Sequence, residues 1–230
     1  MKKKAIIISI KGYKLSDKER TLFANERPWG LILFKRNIKS LNQLIGLIRK
    51  IRKLTKDQKF PIMVDEEGSA VSRLSHIINH NFSQKFLGDI YAANNKIGLI
   101  FYKNYIHNLA ISLKKIGINI NTVPVLDVIR KNTNKIIGSR SYSSNPKIVK
   151  KLGQVCVKQF ELNKLGTVIK HLPGHGCSSS DSHLKTPKVK LNFKALDKVD
   201  FFPFKSNSSK FAMTAHILYK KIDKINVATF

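Results

Sequence analysis

The stretch Lys170-His171-Leu-Pro-Gly-His-Gly176, followed by Asp181-Ser-His183, gathers a cation, three imidazoles and a carboxylate into one short segment. An imidazole titrates near neutrality, so it can give a proton to a leaving oxygen and then take one from water. An aspartate two positions away can fix its tautomer and stabilise the imidazolium, as in a catalytic triad. The residues around the motif suit this use. Thr167–His171 is a β-branched run that reads as a buried strand ending on Lys170 and His171. Pro173 and Gly174 break it, and Ser178–Ser180 make the following loop pliable. A plain surface loop rich in histidine would have the same composition, so local pattern alone leaves both readings open.

Other chemistry-bearing residues also fall where strands end. Asp65 follows Pro61–Val64, Asp127 follows the apolar run from Asn119 to Val125, and His216 closes Phe211–His216. A carboxylate there can accept a pair of ligand hydroxyls, and Arg73, eight residues beyond Asp65, can donate to hydroxyl or carboxylate oxygens. The alternative for this pair is a surface salt bridge.

These sites need a frame. Strands are expected at Ala5–Ile10, Gly30–Phe34, Pro61–Asp65, Asn119–Val125, Thr167–His171 and Phe211–His216. Helices are expected between them. Ser16-Asp-Lys-Glu19 has the form of a capping box, and Ser40–Leu54 repeats its apolar residues at helical spacing. Gln84–Ile116 is helical in pattern with a break near Asn94-Asn95, Pro146 suits the first turn of a helix running to Leu165, and Phe193–Ser206 reads as a broken helix. Strands buried on both faces and alternating with helices indicate a parallel α/β architecture. Pattern alone does not separate a doubly wound sheet from a barrel.

The histidine-rich motif resembles the signature of the glycoside hydrolase family 3 β-N-acetylhexosaminidases. Gly30-Leu-Ile-Leu-Phe-Lys-Arg-Asn37, Val64-Asp65-Glu-Glu-Gly68 with Arg73, Pro124-Val-Leu-Asp127, Ile137-Gly-Ser-Arg140 and Met213-Thr-Ala-His216 match that family in the same order. The resemblance implies one N-terminal-type catalytic domain over 1–230, a (β/α)8 TIM barrel that is incomplete, with about six of its eight strands. It implies a retaining hydrolase of the peptidoglycan-recycling type, cytoplasmic, releasing terminal β-linked N-acetylglucosamine from muropeptide fragments. In this family an Asp/His dyad does what a second carboxylic acid does in most retaining glycosidases. By resemblance His183 is the general acid/base, Asp181 orients it, and Asp65, Arg73, Arg140, Lys170 and His171 bind the sugar.

Three positions depart from the family pattern: Ser69 and Ala70, where extra atoms are expected to crowd a tight turn, and Ser139, whose lost carboxylate is expected to loosen Arg140. The family's attacking aspartate lies beyond the segment matched by Met213–Phe230, and Asp223 corresponds to a different position. The chain alone is therefore expected to be inactive and marginally stable, needing a complementing C-terminal piece. The alternative is a non-catalytic sugar-binding remnant.

Composition narrows the partners. The net charge is +29, yet only eight of the 43 basic residues are arginine, and the lysines are dispersed with little aromatic interleaving. Non-specific attraction to polyanions follows from the charge, but a dedicated nucleic-acid surface leans more on arginine's planar fork. Cys156 and Cys177 form no disulfide framework and no metal-ligand spacing, so neither metal nor cofactor is expected and a reducing compartment is. No apolar run reaches membrane-spanning length. The basic start Met1-Lys-Lys-Lys reads as the lead into a first strand rather than a signal peptide.

Overall fold

The computed structural model describes residues 3–180 and 186–230. Six strands build the main sheet: β1 (Lys4–Ile8), β2 (Pro28–Leu33), β3 (Ile62–Val64), β4 (Ile120–Asn121), β5 (Gly166–Leu172) and β6 (Phe211–Thr214). Their spatial order is the chain order, and every neighbouring pair is parallel. A doubly wound sheet reverses its order at a switch point; an unbroken series is the wall of a barrel. The sheet is also curled. Trp29 on β2 and Phe211 on β6 have ring centroids 5.4 Å apart. In a flat sheet those strands would stand roughly 19 Å apart at ~4.8 Å per strand. The fold is thus an incomplete barrel wall of six strands, as expected.

Helices α1 (Asp17–Thr21), α2 (Leu41–Thr55), α3 (Gln84–Ala93), α4 (Asn95–Ile116), α5 (Pro146–Leu162) and α6 (Phe193–Val199) connect the strands. Two apolar layers result. Leu31, Leu33, Ile62 and Val64 point outward into a core shared with Leu44, Ile48 and Ile51 of α2 and Ile106, Ala110 and Leu113 of α4. Met63, Ile120 and Val168 point inward and pack with Trp29, Ile32, Phe211 and Met213. Strands buried on both faces are why the sequence shows continuous apolar runs there.

The helix ends follow local chemistry. Ser16 and Glu19 form the capping box, and Ser40 Oγ accepts from the Gln43 amide at 3.3 Å. The break near Asn94 is real: Asn94 ends α3 and caps α4 by accepting from the Ile97 amide at 3.1 Å. The fourth strand is shorter than expected. Pro124 has no N–H to give a ladder, and Val125 makes only an isolated bridge to Lys170. Phe193–Ser206 divides into α6 and a single tight turn at Phe202–Phe204. Among the described residues no helix is long and apolar enough to cross a membrane.

Candidate active site

The carboxyl ends of β3, β4 and β5 meet on one face of the wall. In a regular strand Lys170 and His171 would point to opposite faces. Here the register with β6 shifts between Lys170 and Leu172, so the regular alternation is interrupted at this point. Both residues reach the same cluster of acids.

Lys170 lies at its centre and is only 2% exposed. Its ammonium is 2.5 Å from Glu67 Oε1 and 3.2 Å from Asp65 Oδ1, and donates to Thr122 Oγ1 at 3.0 Å. Three donors thus meet three acceptors, which is what a buried ammonium requires. Arg140 grips Glu67 with two bonds, Nε to Oε2 at 2.7 Å and Nη2 to Oε1 at 3.0 Å. Arg73 Nη2 donates to Asp65 Oδ2 at 3.0 Å, and its guanidinium lies 5.7 Å from the centre of the Phe34 ring. Thr122 Oγ1 also donates to Asp65 Oδ1.

His171 is fixed from its other side. Its Nδ1 lies 2.7 Å from Asp127 Oδ2, while Asp127 Oδ1 accepts from the backbone amides of His175 at 2.6 Å and His171 at 3.3 Å. The remaining nitrogen, Nε2, faces Arg140 Nη2 at 3.4 Å. A proton on Nδ1 satisfies the carboxylate and leaves Nε2 as the acceptor that an arginine can address.

The charges are mutually enforced. Burial alone would raise Asp65, but the Lys170 charge, Thr122 and Arg73 outweigh it and hold the carboxyl well below the usual range. Burial would likewise raise Glu67, and Lys170 and Arg140 bring it down. Asp127, fully buried, is lowered against burial by His171 and the His175 amide. Arg140 is pushed upward despite its burial, chiefly by Glu67. His175, by contrast, is lowered because it is buried.

All five residues expected to bind substrate, Asp65, Arg73, Arg140, Lys170 and His171, converge here. Asp181 and His183 lie outside the described residues. The base of their loop is held by Thr133 Oγ1 donating to the Gly176 carbonyl at 2.6 Å and the Asn134 amide donating to the Ser178 carbonyl at 2.9 Å. Tyr219 OH donates to the Gly174 carbonyl at 2.6 Å.

Two expectations are corrected. Ser69 and Ala70 stand exposed at the tip of the Glu66–Gly68/Val71–Ser72 hairpin, so their atoms meet solvent. The position without room is Gly68, at φ 136°, where a Cβ would lie 2.3 Å from the Phe82 carbonyl. Nor does Ser139 leave Arg140 loose, because Glu67 and the Ile136 carbonyl at 3.1 Å hold it. Sequence reasoning missed Glu67 and Thr122, and gave Asp127 a place without a role. The signal for Glu67 was strand alternation, which puts residues 65 and 67 on one face and Glu66 on the other. Glu66 indeed faces away, with Oε2 accepting from the Arg73 and Leu74 amides at 3.0 and 2.9 Å and Oε1 2.5 Å from His80 Nε2. Asp223 spends its carboxylate on a surface turn, accepting from the Ile225 and Asn226 amides.

Beside the cluster, Arg140, His171, His175, Met213 and His216 line a cavity of about 270 Å³. A charged cluster and cavity at the carboxyl ends of parallel strands is the active face of a barrel enzyme. Residues 2–229 match the glycosyl hydrolase family 3 N terminal domain, and the chain belongs to that family. It is 34% identical over 208 residues to a protein named beta-hexosaminidase A from Pseudoalteromonas piscicida, covering 86% of this chain and 34% of that one. It is 32% identical over 228 residues to a beta-hexosaminidase from Alkalilimnicola ehrlichii, covering 98% and 65%. The crystal structure of NagZ from Neisseria gonorrhoeae superposes with a TM-score of 0.89 at 28% identity, covering 96% of this chain and 65% of that one. The same Neisseria protein has been solved in complex with N-trifluoroacetyl-D-glucosamine. The chain spans between 34% and 65% of the length of these relatives.

Proposed function

We propose that this chain is the sugar-recognising part of a retaining β-N-acetylhexosaminidase that removes terminal β-linked N-acetylglucosamine. The observation that carries this reading is the convergence of Lys170, Arg73 and Arg140 on Asp65 and Glu67 at the strand carboxyl ends, with His171 held between Asp127 and Arg140. Such an array offers fixed donors and acceptors to ring hydroxyls and to an acetamido group, with little reorganisation when the sugar arrives. A relative bound to N-trifluoroacetyl-D-glucosamine supports the substrate class.

His183 acts as general acid and then general base, with Asp181 as its orienting partner. The attack on the anomeric carbon comes from a carboxylate outside residues 1–230, in a longer polypeptide or a complementing fragment. The carboxylates of the cluster support this: Asp65, Glu67 and Asp127 are each engaged by cations, a hydroxyl, an imidazole or backbone amides. A nucleophile tied down in this way would have to break those bonds to attack. We place the activity in peptidoglycan recycling, on muropeptide fragments in the cytoplasm. Two free thiols, Cys156 and Cys177, fit a reducing compartment.

The test is binding followed by complementation. N-acetylglucosamine added to the 230-residue protein should shift NMR signals of His171 and Arg140 before those of surface lysines. A C-terminal segment from a related hexosaminidase, added as a fragment or fused, should then yield hydrolysis with retained configuration. Release of N-acetylglucosamine at an enzymatic rate by the chain alone would overturn the assignment of the nucleophile. Absence of shifts at His171 and Arg140 would overturn the sugar site.

A further inference from the structure

A separate cleft of about 580 Å³ opens between the segment 78–82 and the outward side of α4. That volume lies within the range of small-molecule sites, roughly 300–1,000 Å³. Its walls are aromatic. Phe82 meets Phe101 edge-on, with ring centroids 5.2 Å apart at 80°, and meets Tyr105 in the same way at 5.9 Å. His80 forms a fixed inner wall, its Nε2 on buried Glu66 and its Nδ1 2.9 Å from Tyr105 OH. The rim carries Asn79, Asn81, Asn104 and Asn108, whose side-chain amides have no hydrogen-bond partner among the described residues.

The lining is also conspicuous for what it excludes. Charged residues make up 25% of this chain, yet no Lys, Arg, Asp or Glu lines the cleft. On a protein of net charge +29, an uncharged concave surface does not select an anion. It suits a neutral ligand with one apolar face and several hydroxyls. Aromatic walls cover the C–H face of a sugar ring, and four amides offer both donors and acceptors to its hydroxyls.

We propose that this cleft is a second carbohydrate site, taking a neutral mono- or disaccharide, distinct from the acid–cation cluster. It lies on the helical side of the wall, reached through Glu66 and His80, whereas Asp65 and Glu67 face the cluster. The proposal does not depend on the hydrolase reading, because neither Lys170 nor the loop bearing His183 takes part.

A ¹H–¹⁵N NMR titration of the full chain with cellobiose tests it, since that sugar lacks the acetamido group. Saturable shifts are expected at the Asn104, Asn108 and Phe82 amides, with millimolar affinity. Asn104→Leu, an exposed helical position, should weaken them at least tenfold, and Phe82→Ala should do the same. Neither variant should alter any response of His171 to N-acetylglucosamine. Cellobiose at saturating concentration with no shift at these amides would overturn the proposal. So would shifts indifferent to both substitutions. If benzyl alcohol perturbs the cleft while cellobiose does not, the surface is an apolar contact for a protein segment and the carbohydrate assignment fails.

Discussion

Replacing Lys170 by methionine removes the charge but keeps most of the stem that fills its buried position. Two carboxylates then face each other without the ammonium between them, where Lys170 Nζ now lies 2.5 Å from Glu67 and 3.2 Å from Asp65. Removing one partner of a buried ion pair costs about 3–5 kcal/mol, because the other charge is left desolvated. Arg140 still holds Glu67 and Arg73 still holds Asp65, so the lower end, about 3 kcal/mol, is expected at pH 7. For a chain of this size that corresponds to a fall in Tm of roughly 6–12 °C. The sign with pH is distinctive. In the native protein Asp65 and Glu67 titrate below their unfolded values, so their contribution is complete above about pH 5 and disappears only as pH falls through the lowered values. In the variant, one of the two carboxyls binds a proton more readily, and acidification relieves the repulsion by up to ~1.4 kcal/mol per pH unit. The gap between variant and native protein should therefore narrow between pH 7 and pH 5. Urea unfolding, followed by the fluorescence of the single tryptophan, Trp29, packed on Phe211, measures it. The double variant Lys170→Met/Glu67→Gln should recover part of the loss. A cost below about 1 kcal/mol at pH 7, constant with pH and unchanged by Glu67→Gln, would refute the view that one ammonium compensates both acids.

Glu66→Ala should cost about 2–4 kcal/mol, because it strands the Arg73 and Leu74 amides and the His80 ring, and should weaken N-acetylglucosamine binding measured by calorimetry. Gly68→Ala should destabilise by several kcal/mol in the same urea assay, roughly the size expected for a positive-φ strain combined with a backbone clash. In an active, complemented form, His183→Ala should lower turnover by several orders of magnitude on substrates with poor leaving groups, and far less on activated aryl glycosides. Equal losses on both would remove His183 from the role of general acid.

Much of this architecture is legible in the amino-acid sequence itself. Apolar runs of strand length, separated by amphipathic helices with a capping box at Ser16 and a helix break near Asn94, specify a parallel α/β chain because local hydrogen bonding and burial act over a few residues. Lys170 and His171 were visible for a similar reason: polar residues ending a buried strand have to serve some purpose. What the sequence could not state is which charges neutralise which. Lys170 meets Glu67, Asp65 and Thr122, and Arg140 meets Glu67, across separations in the chain that no periodicity encodes. The register shift between Lys170 and Leu172 of β5 is likewise visible only in its pairing with β6. Glu67 and Glu66, neighbours of one residue type, take opposite fates because alternation sends one to the cluster and the other to His80. A residue's type and local pattern follow from the chain alone, whereas the partner that sets its charge state is chosen only when distant strands are brought within a few ångströms.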